Sequence, residues 1–321
     1  MTREHIGHSE LVQFAQDRVN LPQDKANEYR AQARRLREKL KSYLDEHPDF
    51  VLRKMIISGS LAKGTALRSL NDIDVACYID GANAPEDVPK LLEYLVERLR
   101  EAFPNFSPDQ IVPQTYSVCV SFKGSGLDVD IVPILYYGDP DWYGNLVDQN
   151  DGSFLKTSIP LHLEFARKRK DAQKIHFAQV VRLVKFWVKN IKQEKEDFRF
   201  KSFMVEMILA KLCDKGLDLS DYPEALQHFF TYIAESDMRE LIVFDDYYPL
   251  SKVGQFNGPV RIIDPVNELN NVGDLYTSSN ADAIVDAALD AGDAIDAALS
   301  APTKQLSVYY WQKLFGHSFQ G

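Results

Sequence analysis

Two short runs in this chain each set a pair of aspartates on one face of an extended strand, and few architectures tolerate that twice. Leu127-Asp128-Val129-Asp130-Ile131-Val132-Pro133 alternates strictly. Successive strand side chains point to opposite faces, so Leu127, Val129 and Ile131 turn toward a core while Asp128 and Asp130 turn away from it. Asp72-Ile73-Asp74-Val75 repeats the pattern. Carboxylates at such positions stand about 7 Å apart along the strand, a spacing suited to hard cations, and charges are rarely placed where a sheet packs. Ahead of the first pair, Met55-Ile56-Ile57 reads as a strand ending in Ser58-Gly59-Ser60. Gly59 lets the backbone approach a ligand closely, and Ser60 adds a hydroxyl beside the amides that open a helix expected over 61–70. A lone Asp-x-Asp pair reads as turn or surface. Two pairs behind a Gly-Ser turn read as cation ligands beside a phosphate cradle, the parts that phosphoryl transfer needs.

Acidic side chains on two neighbouring strands can hold two Mg²⁺ ions about 3.5–4 Å apart. One ion lowers the pKa of an attacking hydroxyl; the other neutralises a triphosphate and its leaving pyrophosphate. Asp72 and Asp74 are assigned as bridging ligands, and Asp130 as the third ligand and the base for the attacking hydroxyl. Asp128, on the same face, is the alternative, and Mn²⁺ can substitute for Mg²⁺. The run Gly59-Ser60-Leu61-Ala62-Lys63-Gly64-Thr65 has Lys-Gly-Thr where a P-loop has Gly-Lys-Thr, with its first glycine at the wrong distance. A Walker-type ATPase is therefore a poor fit.

The remaining pattern predicts a short amphipathic helix at 9–19, then a long one from Leu21-Pro22 to about Glu46, stopped by His47-Pro48. The long helix has a buried seam of Tyr29, Ala33, Leu36, Leu40 and Tyr43. Arg30, Arg34, Arg37 and Lys41 share another face, read either as a solvated stripe or as a docking strip for a polyanion. A helix is expected from Pro85 to Ala102 and a strand at 115–123. Helical character sets in from about Ile159 and continues through an Ala-rich helix to Leu299. Arg167-Lys168-Arg169-Lys170 is the densest basic cluster. The expected architecture is α+β, with a sheet lobe at 1–158 and a mainly helical lobe at 159–321. The net charge is -10, so the surface as a whole does not attract nucleic acid and any basic site is local. Cys77, Cys119 and Cys213 have neither zinc-like spacing nor the makings of a disulfide framework. The first residues lack an apolar leader, and no run approaches the roughly 18 apolar residues of a spanning helix, so a soluble, cytoplasmic protein is expected.

The segments Ser58–Leu67, Asn71–Asp74, Leu127–Pro133 and Ile263–Asn267 together resemble the DNA-polymerase-β-like nucleotidyltransferases. Nearly end to end, the chain is similar to the cGAS/DncV-like nucleotidyltransferases (CD-NTases) of bacterial CBASS anti-phage systems, and within them to clade C, the CdnC type. The resemblance implies a polymerase-β-like nucleotidyltransferase core with a twisted mixed sheet, a long N-terminal spine helix and a helical C-terminal lobe closing the nucleotide site. It implies that Gly59 and Ser60 hold the donor triphosphate and that Asp72, Asp74 and Asp130 are the metal triad. Lys185 matches the phosphate-binding lysine and Ser202 the donor-site serine. Phe203 falls where an aromatic ring stacks on the base; relatives often carry Tyr there, so stacking survives without the hydroxyl. Asp264 and Asn267 are expected to serve a structural turn. The resemblance further implies an adenine-containing cyclic trinucleotide made from ATP and other NTPs, a HORMA-like activator protein and a TRIP13-like ATPase. Double-stranded DNA would meet Arg30, Arg34, Arg37, Lys41, Arg167, Lys168, Arg169 and Lys170. The alternatives are a linear oligoadenylate synthase, an RNA terminal nucleotidyltransferase, and a catalytically dead nucleotide-binding module. The last would be expected to have lost a triad member, and all three are present.

Overall fold

The computed structural model describes residues 6–46, 51–70, 72–82, 84, 88–147 and 153–321. The expected stop at His47-Pro48, Asn71 and the expected helix start at Pro85 lie outside the described residues. The chain opens with α1 (His8–Phe14), which continues as a π turn to Val19, and α2 (Gln23–Glu46). Then come β1 (Leu52–Ile57), α3 (Gly59–Lys63), β2 (Asp72–Asp80) and α4 (Val88–Ala102). Strands β3 (Ile111–Pro113), β4 (Val118–Phe122), β5 (Leu127–Tyr136), β6 (Gly144–Val147) and β7 (Phe154–Thr157) follow. Helices α5 (Ile159–Gln173), α6 (Ile175–Glu194), α7 (Ser202–Asp214) and α8 (Tyr222–Ser236) come next. A hairpin of β8 (Ile263–Asp264) and β9 (Asn267–Asn271) precedes α9 (Ser278–Ser300) and α10 (Lys304–Phe315). Among these described elements, none is a helix long and apolar enough to cross a membrane.

Two compact units result: Leu21–Glu164, and the residues up to Asn20 together with Phe165–Gly321. The first holds the expected mixed sheet, with strand order β1-β2-β5-β4-β3 and with β6 and β7 extending from the far half of β5. β2 and β5 run parallel; β1 with β2 and β4 with β5 are antiparallel. Ile73, Val75 and Cys77 of β2 and Val129 and Ile131 of β5 share one core with Leu36 and Leu40 of α2 and with Leu95 and Leu99 of α4. That face is apolar because every second strand residue is apolar, which sends the intervening aspartates to the other face. On α2 the buried positions Ala33, Leu36 and Leu40 follow the helical period, while Arg34, Arg37 and Lys41 are exposed. Arg30 is only half-exposed, and its guanidinium donates to the Leu61 carbonyl at 3.5 Å.

The second unit is mainly helical. Its grouping differs from a single cut at 158/159, because the first helix packs with the last ones. The Phe14 ring lies 5.1 Å from Phe315, 4.9 Å from Phe319 and 5.6 Å from Phe186. The amide of Ile6 donates to Ser307 Oγ at 3.1 Å. These partners lie too far along the chain for local pattern to pair them.

One basic residue is not where the sequence puts it. Arg169 is buried, and its guanidinium donates to both carboxylate oxygens of Asp246 at 2.8 Å and to Asp214 at 2.6 Å. It also stacks 3.9 Å over the Phe165 ring. Arg169 is thus a structural cation of the helical unit and leaves the proposed polyanion surface; Arg167 and Lys168 remain exposed. Removing it strands the Asp246 carboxylate. We expect Arg169→Ala to lower the unfolding free energy by about 3 kcal/mol, near the low end for a broken buried pair because Lys168 stays beside Asp246. Arg167→Ala should change it by less than about 0.5 kcal/mol. Urea denaturation of the two variants checks this; equal stabilities would remove the role assigned to Arg169.

Candidate active site

The site begins where β1 ends. The Ser58 amide donates to the Asp74 carbonyl at 2.8 Å, extending the β1–β2 pairing by one step. At Gly59 the backbone takes φ +59°, and a Cβ there would stand 1.8 Å from Asp74 Oδ2. The turn therefore lies directly on the Asp74 carboxylate, and no side chain fits between them. The helix that follows is shorter than the expected 61–70. It spans Gly59–Lys63, because Gly64 takes φ 72° at its end and turns the chain left-handed. Gly59 and Ser60 thus stand in a single tight turn over Asp74.

Parallel pairing sets Asp72 opposite Asp128 and Asp74 opposite Asp130. On the far side of β5, Ser121 of β4 is opposite Asp128 and Cys119 is opposite Asp130. Paired residues on adjacent strands point to the same face, so two rows run across three strands at about 4.8 Å spacing: Asp72–Asp128–Ser121 and Asp74–Asp130–Cys119. The rows differ in the strength of the donor beside each aspartate: the Cys119 thiol beside Asp130 is a weak one that only partly offsets the rise of its carboxyl. Ser121 Oγ donates to Asp128 Oδ1 at 2.6 Å, whereas the buried Oδ1 of Asp130 has no hydrogen-bond partner. Burial, followed by the charges of Asp74 and Asp72, pushes the Asp130 carboxyl from its usual 3.8 up to about 6. Among the described residues no three His, Cys, Asp or Glu side chains already form a metal cage. Carboxylates gathered on one face repel each other, and Asp130 registers that repulsion.

The donor set nonetheless fits a hard divalent cation. It consists of carboxylate oxygens, one of them buried and orphaned, beneath a glycine turn that leaves the face open at Asp74.

Lys185 is half-exposed on α6 of the helical unit; Ser202 is exposed and Phe203 half-exposed in the first turn of α7. The start of α7 is anchored by the Tyr276 hydroxyl, which accepts from the Lys201 amide at 2.9 Å. In the β8–β9 turn, Asp264 Oδ1 accepts from the Val266 amide at 2.9 Å and Asn267 Oδ1 from the Leu269 amide at 3.1 Å. Both are turn residues there, as expected. Ser121 and Cys119 were not singled out by sequence reasoning. Counting back from the Gly124-Ser125-Gly126 turn across the Phe122–Leu127 pair would have found them.

The raised carboxyl makes a signed prediction. An acid whose folded pKa exceeds its unfolded value binds the proton more tightly in the native state. The metal-free protein should therefore lose stability as pH rises from about 4 through about 6 and hold level above that. Asp130→Asn removes the effect, so in chelator its melting temperature should exceed the parent's increasingly up to about pH 7. A pH-independent difference would contradict the crowding of these carboxylates.

With this geometry in place, comparison with known proteins is direct. The family described as Second Messenger Oligonucleotide or Dinucleotide Synthetase domain (SMODS) matches residues 7–169. The chain is 66% identical to a cyclic AMP-AMP-AMP synthase of Escherichia coli strain MS 115-1, over 100% of both chains. It is 32% identical to the CBASS oligonucleotide cyclase CdnC of Escherichia coli strain KTE188, over 98% of both. The solved structure of E. coli MS115-1 CdnC with ATP aligns at TM-score 0.93 and 66% identity, covering 99% of this chain and 100% of that one. The same CdnC in complex with HORMA-deltaN aligns at TM-score 0.93 and 65% identity, covering 99% of each. Matched over its whole length by a CdnC-type synthase, and carrying the acidic strand pair beneath its glycine turn, this chain belongs to the SMODS nucleotidyltransferase family, among the CdnC-type CD-NTases.

Proposed function

We propose that this protein joins ATP into a cyclic triadenylate with release of pyrophosphate, as a second messenger in anti-phage defence. The observation that carries this reading is the in-register pairing of Asp74 with Asp130 directly under the Gly59–Ser60 turn. The choice of product rests on the full-length relative that makes cyclic AMP-AMP-AMP.

Asp72, Asp74 and Asp130 would hold two Mg²⁺ ions, which supply charge neutralisation for the triphosphate and activation of the attacking hydroxyl. The protein's own groups do the rest. Gly59 and Ser60 present the turn on which the donor phosphates rest. Asp130 is the candidate to accept the proton that the acceptor hydroxyl gives up. The hydroxyl oxygen bonds to the α-phosphorus, the bond to pyrophosphate breaks, and a final transfer closes the ring. Lys185 is the candidate for a phosphate contact, Ser202 for the donor, and Phe203 for stacking on the base.

Partners follow from the same kinship. A HORMA-like protein is the proposed activator, by analogy with the CdnC–HORMA-deltaN complex, and a TRIP13-like ATPase its antagonist. Double-stranded DNA, if bound, would meet Arg34, Arg37 and Lys41 with Arg30 at the edge, together with Arg167, Lys168 and Lys170, but not Arg169, which is buried. Cytoplasmic action fits these partners.

Incubation with ATP and Mg²⁺, with a HORMA-like activator supplied, followed by phosphatase treatment and mass spectrometry, tests the reading. A phosphatase-resistant species of three AMP units is expected; a ladder with phosphatase-sensitive ends would replace the cyclase by a linear synthase. Asp74→Ala should cut product formation by more than about 100-fold, since loss of a group merely supporting a metal ligand already reaches that range. The fold should persist by circular dichroism, and full turnover in the variant would end the proposed chemistry.

A further inference from the structure

The two rows across β2, β5 and β4 pose a question that the activity does not answer. β5 offers two carboxylates to the same face, two residues apart, yet the reaction needs one. The structure treats them unequally. Asp128 Oδ1 is engaged by Ser121 Oγ at 2.6 Å, on the side away from Asp72. Ser121 is itself held, because the buried Gln110 side chain donates to its carbonyl at 2.7 Å. One row above, the position equivalent to Ser121 is Cys119, a weak donor, and Asp130 Oδ1 is left without a partner. The strand pairing thus places a strong donor beside one aspartate and a poor one beside the other.

We propose that Ser121 is a positioning residue that holds Asp128 toward β4, so that β5 lends only Asp130 to the cations. This rests on the metal reading above and deepens it. Its consequence is electrostatic. Two divalent cations over three carboxylates keep one positive charge in excess, which attracts a triphosphate; a fourth carboxylate swung inward would cancel it. Asp128 therefore stays as a neighbouring charge, outside the ligand set.

The test is a rescue, read by Mn²⁺ binding to the nucleotide-free protein in electron paramagnetic resonance and, separately, by the Mg²⁺ dependence of ATP turnover. Asp130→Asn should weaken Mn²⁺ binding by about tenfold or more, the scale of a disturbed metal shell. Asp128→Asn should leave it within about threefold, on the low side of that scale. Freeing Asp128 in the double variant Ser121→Ala/Asp130→Asn should recover most of the lost Mn²⁺ affinity. Adding Asp128→Asn to that pair should abolish the recovery. Ser121→Thr, which keeps a hydroxyl, should leave Asp130→Asn unrescued. A residue that only braces the sheet would lower stability without restoring an ion. If the double variant binds no better than Asp130→Asn alone, or if Asp128→Asn weakens binding as much as Asp130→Asn, the inference is wrong while the metal site stands. If Asp130→Asn binds Mn²⁺ like the parent, the metal site itself falls.

Discussion

The parallel pairing of β2 with β5 is the constraint on which the site depends. It is held in register by the opposite face of the sheet, where Ile73, Val75, Val129 and Ile131 are buried with α2 and α4. A slip of β2 by one residue against β5 would carry Asp72 and Asp74 toward that core and turn Ile73 and Val75 out of it, because the side-chain period along a strand is two. Burying two carboxylates in an apolar core is far more costly than the burial of a few aliphatic groups is favourable. The core thus fixes the register, and the register brings acids from separate parts of the chain side by side.

That gathering is unfavourable in the absence of counter-ions. Asp130 is partly desolvated and faces Asp74 and Asp72, and its carboxyl is pushed up to about 6 as a result. Strongly shifted groups with stated charge partners gather at functional sites more often than elsewhere, which sets this cluster apart from the other carboxylates of the sheet. The Gly59 turn sharpens the point. Its backbone stands where any Cβ would collide with Asp74 Oδ2, so the turn and the carboxylate are built as one contact. Sequence change at Gly59 would move Asp74 before it touched any nucleotide.

What the sequence made legible follows from the range of the interactions. The alternating aspartates, the α2 seam and the Gly-Ser turn are local, and period alone exposes them. The length of α3 was misjudged because Gly64 was read as part of a P-loop-like string rather than as a left-handed stop. The choice between Asp128 and Asp130 stayed open in the sequence because it is made by a neighbour on β4. The hairpin turn does encode that neighbour, through a register that must be counted rather than matched to a motif. Arg169 was out of reach in a different way. Its partners Asp214 and Asp246 lie 45 and 77 positions along the chain, so Arg169 reads from sequence as one more member of the basic cluster.

Charge is partitioned across the sheet, and this limits how the two faces can influence each other. A polyanion approaching a face lined by carboxylates is repelled by them unless cations stand between. On the other face of the sheet, α2 buries Ala33, Leu36 and Leu40 and exposes Arg34, Arg37 and Lys41 to solvent. An anion bound to that row therefore makes no direct contact with the carboxylates. Arg30 differs from these three, since its guanidinium reaches the Leu61 carbonyl in the turn that carries Gly59 and Ser60. Leu36, Leu40 and Leu61 are buried in one cluster, so α2 meets that turn through packing, while the field of the basic row falls off within about 10 Å of salt-containing water.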